Sequence, residues 1–116
     1  MIDTIPRFLA GVFAFEGAGY GHAAPLDASL VYTVPADKRT QFIYLRAGNS
    51  STELVYLSLM QDGSAVRLFP VGAKAAIHVP LAVVEDLPPD TRIEVFFAAP
   101  SGLRGTLVLD CGLIEI

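Results

Sequence analysis

Leu54-Val55-Tyr56-Leu57-Ser58-Leu59-Met60 runs into Gln61-Asp62-Gly63, and the reading of this stretch decides the fold. In an extended chain successive side chains point to opposite faces, so Leu54, Tyr56 and Met60 share one face while Val55, Leu57 and Leu59 share the other. Asp62-Gly63 is a strong two-residue hairpin signal, because glycine accepts the positive φ that such a turn needs. A strand therefore ends at a tight turn. The same unit recurs along the chain: strand-like runs cover Phe8 to Phe15, Leu30 to Val34, Gln41 to Ala47, Val66 to Phe69, Ala75 to Val79, Ile93 to Ala98 and Thr106 to Ile116. Between them lie breakers such as Val34-Pro35-Ala36-Asp37-Lys38, Gly48-Asn49-Ser50-Ser51 and Pro100-Ser101-Gly102. Only Leu81 to Leu87 reads as one short helical turn. Short strands at this spacing predict an all-β chain: one antiparallel β-sandwich domain over residues 1–116, jelly-roll-like, with about eight strands.

Periodicity separates strands with one apolar face from strands with two. Ile93, Val95 and Phe97 alternate with Arg92 and Glu94, as expected of a strand with one wet face; Ile77 and Val79 oppose His78 in the same manner. With Leu107 and Leu109, these residues form the expected core. Near the end of the last strand the apolar phase reads as slipping to Ile114 and Ile116, with Gly112 as the place for a bulge. The runs Phe8 to Phe15 and Leu54 to Met60 are apolar on both faces. A two-layer sandwich has one internal face per strand, so the second face of each run calls for a partner. Phe8, Val12, Phe13, Phe15, Leu54, Tyr56, Leu57 and Leu59 are thus the candidates for an oligomer interface.

Composition agrees. Of 116 residues 53% are hydrophobic and only 17% charged, with a mean hydropathy of +0.51. Such a chain folds around a core and has apolar surface to spare. Eight Lys and Arg against twelve Asp and Glu give a net charge of -4, which argues against nucleic acid as a partner. No run is long enough to span a bilayer as a helix, and the start of the chain lacks a basic signal region, so no membrane association is expected. The expected setting is cytoplasmic, or a particle assembled inside the cell. Cys111 stands alone, which rules out an internal disulfide. Sharing the phase of Leu107 and Leu109, it reads as an inert core thiol.

The side chains that do chemistry are sparse. His22 and His78, the two histidines, lie on separate segments, whereas a metal centre needs several converging ligands. No metal or other cofactor is expected. Gly17, Gly19 and Gly21 suggest a phosphate loop, but Ala23-Ala24-Pro25 leads into a strand where such a loop needs a helix. Tyr20, His22 and His78 remain as candidate binding residues.

Leu30 to Lys38, leading into Gln41 to Leu45 and the Asn49-Ser50-Ser51 turn, resembles the opening of small β-sandwich modules of phage virions; Leu87 to Val95 is similar to the strand re-entry of those modules. The resemblance implies a structural role and carries no catalytic residue across. The sequence thus predicts a non-catalytic, self-associating β-sandwich, a structural or protein-interaction subunit, with copies of itself and possible other protein subunits as partners. Two other readings stay open. One is a small-molecule binding module in which the Gly17–His22 loop closes over an apolar pocket lined by Phe13, Phe15 and tyrosines. The other is an enzyme using His22 or His78 at a subunit boundary.

Overall fold

The computed structural model describes residues 4–116, with 82–84 as backbone alone. Nine strands follow one another: β1 (Ile5–Glu16), β2 (Ala24–Pro25), β3 (Val31–Thr33), β4 (Thr40–Asn49), β5 (Val55–Gln61), β6 (Ser64–Val71), β7 (Ala76–Leu87), β8 (Arg92–Ala98) and β9 (Arg104–Glu115). The first sheet has the order β1-β9-β4-β7; the second has β2-β8-β5-β6, with β3 also on β8. Because β2 and β3 both pair with β8, they act as one interrupted edge strand. Counted so, eight strands wind as 1-8-3-6 opposite 2-7-4-5, the jelly-roll order of two interlocked Greek keys.

Local chemistry sets the turns. Asp62 and Gly63 both have positive φ, 49° and 86°, and Gln61 pairs with Ser64 across them, so the hairpin is the two-residue kind that the sequence predicts. The Asn49 turn is a buried polar knot: the Asn49 Nδ2 donates to the Glu53 carbonyl (2.9 Å), while its Oδ1 accepts from the Ser51 N–H (2.9 Å) and Oγ (2.7 Å).

One core fills the space between the sheets. Val55, Leu57 and Leu59 of β5, Ile93, Val95 and Phe97 of β8, and Leu107, Leu109, Cys111 and Leu113 of β9 all bury in it. Ile77 and Val79, expected in the same core, are only partly buried. Their strand, β7, is the edge of its sheet, and an edge has packing on one side only.

Three sequence expectations fail in instructive ways. Leu81 to Leu87, read as a helical turn, continues β7 as strand; among the described residues no helix is long and apolar enough to cross a membrane. The bulge expected at Gly112 lies on the neighbouring strand. β9 pairs with β1 without a break, while β4 skips a residue between Phe42 and Tyr44. Gly112 serves a different purpose: the Tyr44 ring lies against it, where a Cβ would collide. The apolar phase of β9 does not slip either. Leu113 and Glu115 continue the inward series, and Glu115 is buried.

Candidate functional site

The outward face of the first sheet starts at β1. The inward series Leu9, Phe13 and Phe15 packs on the core, and the opposite series leaves Phe8 62% and Val12 70% exposed. Strand register extends this surface across the sheet: Val12 pairs with Val108, Val108 with Gly48, and Gly48 with Ala76. Val108 is exposed as well, and a shallow depression of about 460 Å³ lies at this row, lined by Ala76, His78, Val108 and Asp110 among others.

The adjacent row is polar. Arg46 Nη2 meets Asp110 Oδ2 at 2.6 Å, and the Tyr44 hydroxyl donates to Asp110 Oδ1 at 3.1 Å. The Arg46 guanidinium stands 5.2 Å from the Tyr44 ring centre, and His78 meets that ring edge-on at 6.2 Å. Partial burial, with Asp110 nearby, pushes the Tyr44 hydroxyl above the usual tyrosine range. These are ordinary cross-strand contacts, and they hold His78 in a packed, exposed position on the wall of that shallow depression.

A second cleft, about 350 Å³, opens along one side of the sandwich. Its walls are Leu68, Phe69 and Pro70 of β6 and Ile77, Val79 and Leu81 of β7, with Arg67 at its rim. Arg67 pairs there with Glu85 at 3.2 Å. β6 and β7 are edges of different sheets, so the cleft is the seam where the two layers part.

The Gly17–His22 loop is docked and does not form a lid. Gly17 N–H donates to the Leu103 carbonyl and Gly19 N–H to the Ala99 carbonyl, and a Cβ on Gly17 would strike the Pro100 carbonyl. Tyr20 and Tyr56 lock it further. The Tyr20 hydroxyl donates to the Leu54 carbonyl (2.7 Å), the Tyr56 hydroxyl donates to the Tyr20 carbonyl (2.6 Å), and the rings stack at 6.3 Å. His22 is exposed beyond this lock. The pocket imagined under the loop therefore loses its moving cover, and Phe13 and Phe15 line neither of the clefts above.

At one end of the sandwich lies a group that sequence reasoning missed. Glu115 is 2% exposed, accepts a short hydrogen bond from the Tyr32 hydroxyl and pairs with Arg7 Nε at 3.1 Å. The Tyr32 hydroxyl, its one proton committed to the carboxylate, accepts from the Thr40 hydroxyl at 3.0 Å. Tyr32 belongs to the second sheet and the other three to the first, so the cluster staples the layers together. The hydrogen bond from Tyr32, then Arg7, holds the Glu115 carboxyl below its usual range; burial, then the same carboxylate, raises Tyr32. With its polar groups paired, the arrangement is that of a structural tie. Among the described residues no group of three or more His, Cys, Asp or Glu side chains is placed to hold a metal ion. Cys111 is fully buried, and burial pushes its thiol up to about 12.

The expected interface residues thus divide. Phe15, Leu57 and Leu59 are buried in the core and are lost to any surface. Phe13 is partly buried on the inward side, and Tyr56 is engaged with the loop. Phe8, Val12 and Leu54 remain exposed, joined by Val108 and by Leu68 at 63% exposure, which the sequence reading did not single out.

No protein-family model and no curated protein matches the chain. Its fold is similar to solved structures. A chain from the work titled "Bacillus endospore appendages form a novel family of disulfide-linked pili" aligns with a TM-score of 0.52 and 15% identity, over 97% of this chain and 88% of that one. A chain of infectious bursal disease virus, Gx strain, aligns with a TM-score of 0.55 and 14% identity, over 98% of this chain and 32% of that one. The corresponding Gt-strain chain gives 0.50 and 15%, over 95% and 32%. The chain spans about a third of the length of those viral chains. At these identities the likeness is one of fold, and it is consistent with the resemblance to small β-sandwich modules of phage virions.

Proposed function

We propose that this protein is a structural subunit that associates with copies of itself through the outward side of β1. The observation that carries this reading is the bare apolar strip of Phe8, Val12 and Val108 beside a free strand edge. Contiguous apolar surface next to unpaired backbone invites pairing with another chain, and closed or regular assembly is how proteins keep such surface from indiscriminate contact. The fold likeness supports the reading, since one of the similar chains comes from disulfide-linked pili. With its single cysteine fully buried, this chain would associate without disulfide links. The role asks for no catalytic group.

Val12→Glu and Val108→Glu test it. Each places a charge on the strip without entering the core, so each should weaken association in sedimentation velocity while leaving the melting temperature of the subunit nearly unchanged. Variants that associate as the unmodified protein does would remove β1 and its neighbour from the reading.

A further inference from the structure

The two free edges of the first sheet match one another. Gly17 N–H donates to the Leu103 carbonyl, and in an antiparallel ladder a residue's N–H and C=O point to the same side, alternating along the strand. Odd-numbered residues of β1 therefore face β9, and the backbone groups of Phe8, Ala10, Val12 and Ala14 point to the free edge. At the opposite edge, Asn49 N–H donates to the Ala75 carbonyl. Ala75, Ile77 and Val79 thus face β4, and Ala76, His78 and Pro80 face outward.

We infer that β1 of one copy adds to β7 of the next, extending the first sheet head to tail. The inference rests on the self-association reading above and adds to it a contact at the strand edge; the outward strip of Phe8, Val12 and Val108 stays on the face of the extended sheet and runs on from copy to copy. The sheet has four strands, each antiparallel to its neighbour. Four is even, so a copy displaced across the sheet brings its β1 antiparallel to β7 and in the correct hydrogen-bond phase. Cross-sheet rows then set the pairs: Val12 with Ala76, Ala10 with His78, and Phe8 with Pro80. Pro80 has no N–H, but its carbonyl is the acceptor that the Phe8 N–H requires.

Side chains agree with the backbone. On the inner face, Leu9 shares a row with Val79, and Gly11 with Ile77. Ile77 and Val79 are the half-covered wall of the side cleft, so an added β1 would close the seam where the layers part. Charge is complementary at one end. Arg7 shares a row with Glu85, next to Asp86, beyond the register shift that separates Pro80 from Glu85 in β7. Arg7 and Glu85 already pair within the chain, with Glu115 and Arg67, and docking joins those pairs into a network. Because different surfaces meet, the contact is heterologous and generates a ring or a filament.

Engineered thiols test the geometry, since Cys111 is buried and leaves them the accessible ones. Ala10→Cys protein mixed with His78→Cys protein should give a disulfide-linked heterodimer on mild oxidation, because directly paired Cα atoms lie about 5.5 Å apart. Ala14→Cys, about 13 Å along the strand, should not link to His78→Cys. Ala10→Pro removes an edge donor that the isolated subunit does not use, and should weaken association about tenfold with little change in the fold. An unmodified protein that assembles while the matched thiols stay apart, or while Ala10→Cys links to itself, overturns this geometry and leaves the self-association reading standing. An unmodified protein that stays monomeric overturns both.

Discussion

β1 and β5 carry the same signature in sequence, apolar side chains on both faces, yet the fold treats them differently. β5 is internal to its sheet, between β8 and β6. Its inward residues Val55, Leu57 and Leu59 fill the core, and outward Tyr56 is engaged by the Tyr20 loop. β1 is an edge strand, and Phe8 and Val12 on its outer face have no such cover. Two-faced apolarity therefore marks a strand that needs two partners. Position in the sheet decides whether the chain itself supplies the second.

The sharpest way to break the comparison is to put a charge inward on β5. Leu57→Glu places a carboxylate at a position with no exposure, and an unpaired buried charge should cost about 4 kcal/mol or more. Chemical denaturation should find this variant largely unfolded; a stable, native-like Leu57→Glu would mean that the inward phase of β5 is misassigned.

Glu115 comes next in size. Glu115→Gln keeps the shape and a hydrogen bond to Tyr32 but loses the charge that faces Arg7, a loss of about 1.5–3 kcal/mol for bonds to a charged group. Because the folded carboxyl titrates below its usual range, its contribution is complete above the unfolded glutamate value of about 4.3 and disappears as pH falls through the lower folded value. Denaturation midpoints measured from pH 7 to pH 3 should fall less steeply for Glu115→Gln than for the unmodified protein. Parallel curves would contradict the role given to this carboxylate.

Tyr56→Phe is the mildest of the set. It removes the hydroxyl that holds the Tyr20 carbonyl, worth about 0.5–1.5 kcal/mol, and its effect belongs to the loop. Hydrogen exchange should quicken at the Gly19 amide and stay unchanged in β5. Unchanged exchange at Gly19 would mean that the Tyr20–Tyr56 lock does not hold the loop.

Much of this architecture was legible in the residues. Strand-like runs marked each long strand at least in part, β7 only as far as Val79; Asp62-Gly63 gave its hairpin, and the phase of Leu107, Leu109 and Cys111 put the thiol in the core. The illegible parts depend on which strands become neighbours. The role of Glu115, which lies between Ile114 and Ile116, was illegible because its partners, Tyr32, Thr40 and Arg7, are far away in the chain. The bulge was assigned to Gly112 since glycine permits one, whereas the Tyr44 ring is what requires the glycine, and the extra residue sits on β4. Leu68 and Val108 escaped notice because each lies in a strand whose other face is buried, and periodicity alone does not say which face is bare. The burial of Leu57 and Leu59 in β5 was illegible for the same reason.

The central claim is that the uncovered outer side of β1 meets another copy, and light scattering on the unmodified protein over a wide concentration range, beside Val12→Glu, tests it most directly. The account predicts a mass well above the 12.4 kDa of one chain for the unmodified protein, and a mass near that of one chain for Val12→Glu at equal concentration. A single-chain mass for the unmodified protein at every concentration would contradict it.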